Sequence, residues 1–410
     1  MKLDFDVVVV GGAMAGAGSA ALLAATPATS GLRVALVEPR PAAAPAAGAP
    51  IDVRVSALSR ASQHLLERTG AWPAVAARAA AYRRMVVWEE RQDAAGPDAL
   101  VFDAAELGEP DLGHIGENQS IQAALTARAE TLGVVLLRAE LAALETARDA
   151  VRIRLADGRE FRAGLVVGAD GADSAVRRSA GIDTRGWDYG QRAVVAHLDC
   201  RKPHGATVWQ RFLDTGPLAL LPLADGRVSL VWSTLPDVAE SLVQCPDAEF
   251  AERVTAASDG VLGSLAPASR RAAFPLRLLH ARRYAAERIA LVGDSAHVVH
   301  PLAGQGINLA FLDAAALVDV VGEAVAAGDE PGELAVLRRY ERWRKAEAWP
   351  AIALLDGIKR LFSGGNPLQS RLRQGLLGLA QSSGTAKRVL MRRALGVAGD
   401  VPASVRSPPS

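Results

Sequence analysis

Asp6-Val-Val-Val-Val-Gly-Gly-Ala-Met-Ala-Gly16 decides the fold. Four consecutive valines lack the alternation of a half-exposed strand, so they predict a short strand buried on both faces, as in a parallel sheet. Small residues then make a tight turn and open a helix. A second β-branched run, Val34-Ala-Leu-Val37, ends in Glu38 and completes a βαβ unit. Glu38 lies 27 positions after Gly11, in the range where a carboxylate meets the ribose hydroxyls of a dinucleotide. Gly11 makes the turn, and Gly16 lets the helix pack on the strand. The unpaired N–H groups around Gly12, Ala13, Met14 and Ala15, with the helix macrodipole, attract a pyrophosphate. Ala13 occupies the place of the fingerprint's middle glycine, where backbone and pyrophosphate come closest.

Two further segments repeat this logic. Arg288-Ile-Ala-Leu-Val-Gly-Asp294 is a strand ending in Gly-Asp, and Ser-Ala-His297-Val-Val-His300-Pro301-Leu-Ala-Gly304-Gln305-Gly306-Ile307-Asn308-Leu-Ala310-Phe-Leu-Asp313 follows it. A carboxylate at a strand's C-terminal end suits a polyol, and a glycine-flanked turn before a helix offers N–H groups to a polarised carbonyl. Together they suit the ribityl chain and pyrimidine edge of a flavin. Between the two lies Leu165-Val-Val-Gly-Ala-Asp170-Gly171-Ala-Asp173-Ser174-Ala-Val-Arg177, which on its own is an Asp-Gly turn.

Composition narrows the class. With 410 residues the chain holds two or three structural units, and a formal charge of +1 excludes a global nucleic-acid field. Cys200 and Cys245 share no CxxC spacing, which points to a reducing compartment and two inert thiols. Residues 7 to 32 carry no charge, yet Asp4 and Asp6 precede them, and glycines and Pro27 interrupt them. This argues for cytosolic core over a signal peptide or membrane span. His297 and His300 are three apart, but no cysteine or carboxylate cluster completes a metal shell, so no metal is expected.

In this order and at these separations the three segments resemble the class A flavoprotein monooxygenases. The string His300 to Asp313 is similar to the signature of the ubiquinone-biosynthesis hydroxylases of that class. The resemblance implies FAD as cofactor, NADPH or NADH as a loosely held reductant, and O2 as co-substrate. It implies a flavin C4a-hydroperoxide attacked by a polyprenylated phenol of the ubiquinone pathway. It gives Glu38 the adenosine ribose and Asp294 the ribityl chain. Gly304, Gln305, Gly306, Ile307 and Asn308 line the flavin's pyrimidine side. Pro301 sits near the reactive edge with His300 shaping the space above it, which makes these two the candidate catalytic residues. Asp170 touches FAD and supports use of the reductant, Arg54 lies near the pyrophosphate and flavin, and Gln122 belongs to the same neighbourhood. The family has glycine at the positions of Ala13 and Ala310. Two other readings stay open. One is a hydroxylase of a soluble aromatic acid, anchored by Arg192 or Arg211; the other is a non-catalytic scaffold in which Ala13 weakens FAD binding.

The expected fold is α/β, a Rossmann-like FAD-binding domain with an inserted, mostly antiparallel β-sheet substrate domain and a C-terminal helical segment. The FAD-binding parts are residues 1–82, 113–188 and 281–345, and the inserted parts are 83–112 and 189–280. Helices are expected over 346–400, and a disordered tail over 401–410. Between 356 and 397 eight basic residues face one acid, Asp356, and Leu368, Leu372, Leu376 and Leu379 repeat at helical spacing. Such a helix lies on an anionic membrane surface, docks in a ubiquinone-biosynthesis complex, or caps the fold in solvent. The expected location is cytoplasmic, with peripheral contact on the membrane's inner face under the first reading.

Overall fold

A computed structural model of the chain describes residues 2–299, 306–362 and 384–406. The valine run forms the strand Phe5–Val10, and Val7 to Val10 are almost wholly inaccessible. It pairs in parallel with Val34–Val37 on one side and Glu160–Gly168 on the other. Ile289–Leu291 joins the far side of Glu160–Gly168, also in parallel. Each buried valine contributes about 1.5–3 kcal/mol relative to exposure, so this sheet anchors the domain. Ser19, Ala20 and Ala21 lie within the helix Met14–Ala25, whose buried small residues let it pack closely on the helices Asn118–Thr131 and Gly306–Ala327.

The second sheet has nine strands among the described residues. It is mostly antiparallel, as expected; the pairing of Thr207–Leu213 with Arg84–Glu89 is parallel. Alternation along its strands separates two faces. One packs Val194, Leu220, Leu230 and Trp232 against the helices Pro236–Gln244 and Asp247–Ala257, with Phe250 at the centre. The other packs Val208, Ala219, Leu221 and Val231 against Ala57 and Ile115. Those two residues belong to a three-stranded sheet of Val55–Leu58, Gly113–Glu117 and Ala80–Tyr82. The inserted sheet therefore turns an apolar face toward the dinucleotide-type domain.

The described part of the expected tail differs from expectation. Residues 401–406 do not fray but dock on the body: Ala403 and Ser404 donate their N–H groups to the Asp319 carboxylate, at 2.6 and 3.2 Å. The Val405 carbonyl lies 3.0 Å from His64 Nδ1, and Val405 is buried. Leu368, Leu372, Leu376 and Leu379 lie outside the described residues. Among the described residues no helix is long and apolar enough to cross a membrane.

Candidate active site

Four parallel strands end in one row, because Val10 is in register with both Val37 and Gly168, and Gly168 with Leu291. The crevice beyond such strand ends is where open α/β sheets bind ligands. Gly11, Glu38, Asp170 and Asp294 stand at that rim.

The first junction is built by close backbone approach. Gly11 has φ +99, and a Cβ on it would come within 2.5 Å of the Ala169 carbonyl oxygen. A Cβ on Gly16 would lie 1.8 Å from the Gly11 carbonyl oxygen. Ala13 precedes the helix with an ordinary φ of −67 and an exposed methyl. Among the described residues no side chain caps this helix, and no acid lies in its first turn, so its leading N–H groups are left for an anion. Glu38 is already engaged: one oxygen accepts the Gly12 N–H at 2.7 Å and the other the Arg40 N–H at 2.9 Å.

Asp294 is placed otherwise. Its side chain is exposed, yet the surrounding protein pushes its carboxyl above the ordinary aspartate value, against the pull of His297, Arg54 and Arg277. The exposed carboxylate thus faces the crevice beyond the strand ends, an open recess with protein packed around it. Among the described residues none hydrogen-bonds to its carboxylate. Arg54 brings its guanidinium 5.6 Å from the centre of the Phe274 ring, which is itself 40% exposed. Arg54 and Phe274 therefore border the same recess from the two domains.

Asp170 and Asn308 are taken up by the protein itself. Asp170 accepts hydrogen bonds from Ser174 Oγ, from the Ala175 and Val176 N–H groups, and from Ser295 Oγ at 3.1 Å. Arg177 grips the same serine, donating to the Ser295 carbonyl at 2.9 Å. The middle segment thus fastens the turn that carries Asp294. Asn308 accepts from the Ser59 N–H and Ser62 Oγ and donates to the Ala57 carbonyl, joining the helix Gly306–Ala327 to the strand Val55–Leu58. Gln122 is half-buried one turn inside the helix Asn118–Thr131, and Ile307 is buried in the core. His300, Pro301, Gly304 and Gln305 lie outside the described residues.

Behind the turn is a charged cluster whose members lie far apart in the sequence. The Asp313 carboxylate accepts the Gly293 N–H at 3.1 Å, His297 Nε2 at 2.7 Å and Arg344 Nε at 2.7 Å. Burial alone would raise the Asp313 carboxyl, but His297 and Arg344 outweigh it and hold it below the ordinary value. Tyr284 bonds its hydroxyl to His280 Nε2 at 3.0 Å, and burial pushes His280 down to about 4. Asp313 closes the quoted signature string, whereas Arg344 sits in a basic run that looks like any solvated helix face.

These residues fit FAD. An uncapped helix start suits the pyrophosphate, a carboxylate left without a bond among the described residues suits a polyol, and an apolar sheet face lies opposite. The comparisons agree. A family described as FAD binding domain matches residues 4–354. The 3-demethoxyubiquinol 3-hydroxylase of Escherichia coli is 38% identical over 395 residues, covering 96% of this chain and 98% of that one. Human ubiquinone biosynthesis monooxygenase COQ6, mitochondrial, is 35% identical over 406 residues, covering 88% and 86%. Among solved structures, p-nitrophenol 4-monooxygenase PnpA from Pseudomonas putida matches with a TM-score of 0.73 at 18% identity, over 96% of this chain and 99% of that one. A ternary complex of aklavinone-11 hydroxylase with FAD and aklavinone matches with a TM-score of 0.65 at 23% identity, over 87% and 68%. These two likenesses concern the fold alone. By family match and by its relatives over nearly its whole length, the chain belongs to the FAD-dependent class A monooxygenases, in the ubiquinone-biosynthesis hydroxylase family.

Proposed function

We propose that this monooxygenase hydroxylates the ring of a polyprenylated phenol in ubiquinone biosynthesis, with NADPH or NADH as electron donor and O2 as oxygen source. Bound FAD supplies the activation of O2; the protein binds, orients and keeps the site dry. The helix start at Met14 takes the pyrophosphate, Glu38 the ribose hydroxyls, and Asp294 the ribityl hydroxyls. Arg54 adds positive charge between Asp294 and Phe274. A phenol ring needs only to be held against this recess, because its ortho and para carbons are already nucleophilic.

The observation that carries the choice of substrate is the direction of the two arginines in the inserted sheet. Arg211 lies on the face away from the recess, donating to the Ala256, Ala257 and Glu90 carbonyls. Arg192 shares the outward alternation of Val194 and reaches the Ala273 carbonyl at 3.4 Å. The inward positions Val208, Ala219, Leu221 and Val231 are uncharged. This supports a neutral, lipid-like phenol over an aromatic acid.

A peripheral membrane contact fits the C-terminal helix Gly384–Ala394. Its Met391 is buried and Lys387 pairs with Glu106 at 2.6 Å, while Arg388, Val389, Arg392 and Arg393 stay exposed. The basic side facing outward suits an anionic lipid surface.

The test uses purified FAD-loaded protein, NADPH, a prenylated phenol and 18O2. A product bearing one 18O atom on the ring is expected. NADPH consumption that yields only hydrogen peroxide, with unchanged quinones in a deletion strain, would overturn the proposal.

A further inference from the structure

The three donors converging on Asp313 come from three separate elements: the Gly293 turn, the His297–Val298 strand, and the helix Leu334–Phe362. Asp313, His297 and Arg344 are 0%, 2% and 1% exposed, so water does not share in these bonds. A carboxylate is the one side chain of this size with two acceptor oxygens and no donor. An amide there would point an NH2 group at one of the three donors. A buried ion pair is by itself weak evidence for stability, so the cluster is judged by what its bonds hold in place.

The arrangement specified is the Gly293–Asp294–Ser295 turn. Asp313 holds Gly293, while Asp170 and Arg177 hold the hydroxyl and carbonyl of Ser295. Asp294, between them, is the residue with no bond of its own among the described residues. We propose that Asp313, paired with Arg344, is a positioning residue for FAD: it fixes the turn that aims the Asp294 carboxylate, which makes the helix Leu334–Phe362 part of the cofactor site. The inference rests on the reading of Asp294 as the ribityl contact.

Fluorescence titration of FAD into apoprotein tests it, with wild type, Asp294→Ala, Asp313→Asn, Arg344→Gln and Arg344→Lys compared. Releasing the turn that aims a charge-assisted contact forfeits much of that contact, so Asp313→Asn and Arg344→Gln are expected to raise Kd by about tenfold or more. Their far-UV circular dichroism stays that of wild type, and the bound flavin's absorption bands shift. Arg344→Lys, which keeps the charge, restores most of the affinity. An unchanged Kd in folded Asp313→Asn and Arg344→Gln overturns the proposal. Loss of the fold in both also overturns it, because the cluster then serves the core as a whole. If Asp294→Ala binds FAD like wild type, the reading of Asp294 falls and this inference with it. If Asp294→Ala weakens binding and the Asp313 and Arg344 variants do not, this inference alone falls.

Discussion

Glu38 and Asp294 stand at the ends of parallel strands in one sheet, yet the chain treats them in opposite ways. Glu38 is bonded to its own turn through the Gly12 and Arg40 N–H groups. Asp294 has no such bond among the described residues and stands in a recess that disfavours its charge, with its two neighbours tied down from behind. At the first junction backbone contact does the positioning, so geometry there depends on the absence of side chains. At the last junction buried charges do it, so geometry depends on their presence. A ligand carboxylate can be aimed either way, but the two designs fail differently.

The largest effect is expected where backbone contact is closest. Gly16→Ala places a Cβ 1.8 Å from a carbonyl oxygen, so the strand–helix junction must open. Overpacking of this kind costs about 3 kcal/mol or more, because backbone rather than a flexible side chain must move. Thermal denaturation and flavin content of the purified variant are expected to show lost stability and lost FAD together. A variant that retains both would remove the claim that contact positions this junction.

Asp294→Asn separates binding from stability. Loss of a charge-assisted hydrogen-bond acceptor costs about 1.5–3 kcal/mol, so FAD affinity falls by about ten- to hundredfold. The apoprotein moves the other way. A carboxyl whose folded value is raised contributes stability below its unfolded value of 3.8 and loses it as pH rises through the folded value. Near neutral pH the variant is therefore expected to melt slightly higher than wild type without FAD. The difference vanishes below 3.8. Equal melting temperatures at neutral pH would show that the recess does not disfavour the charge.

Behind this junction, His280 predicts an acid sensitivity. Its folded value is about 4 against an ordinary 6.5, so its contribution is complete above 6.5 and is lost as pH falls toward 4. His280→Gln, which can still bond to the Tyr284 hydroxyl, is expected to flatten the melting temperature across that window. A wild-type profile as flat as the variant's would contradict the assignment. The smallest effect is at Ala13, whose φ suits either residue and whose methyl faces solvent. Ala13→Gly is expected to bind FAD equally or slightly more tightly by titration, and a marked loss would show that the methyl helps.

What the sequence determined by itself are the features carried by neighbours along the chain. Consecutive valines exclude a half-exposed strand, small residues after them force a turn, and a carboxylate follows at the end of a second strand. Those local constraints suffice for the parallel sheet and the three strand-end junctions, while the FAD family came from the resemblance of the three segments, His300 to Asp313 above all. The tertiary structure decided how each polar group is used, since that depends on partners brought from far away. Asp170 meets Ser295 from 125 residues on, and Asn308 meets Ser59 from 249 residues back, so residues expected to face the cofactor serve as struts between segments. Arg211 was available by position but turns outward, because sheet alternation fixes its face. Residues 401–406 look like a tail in sequence and are held by Asp319, which composition cannot reveal. Arg344 is the clearest case: a guanidinium in a basic helical run becomes a buried counter-ion only when the fold lays that helix against Asp313.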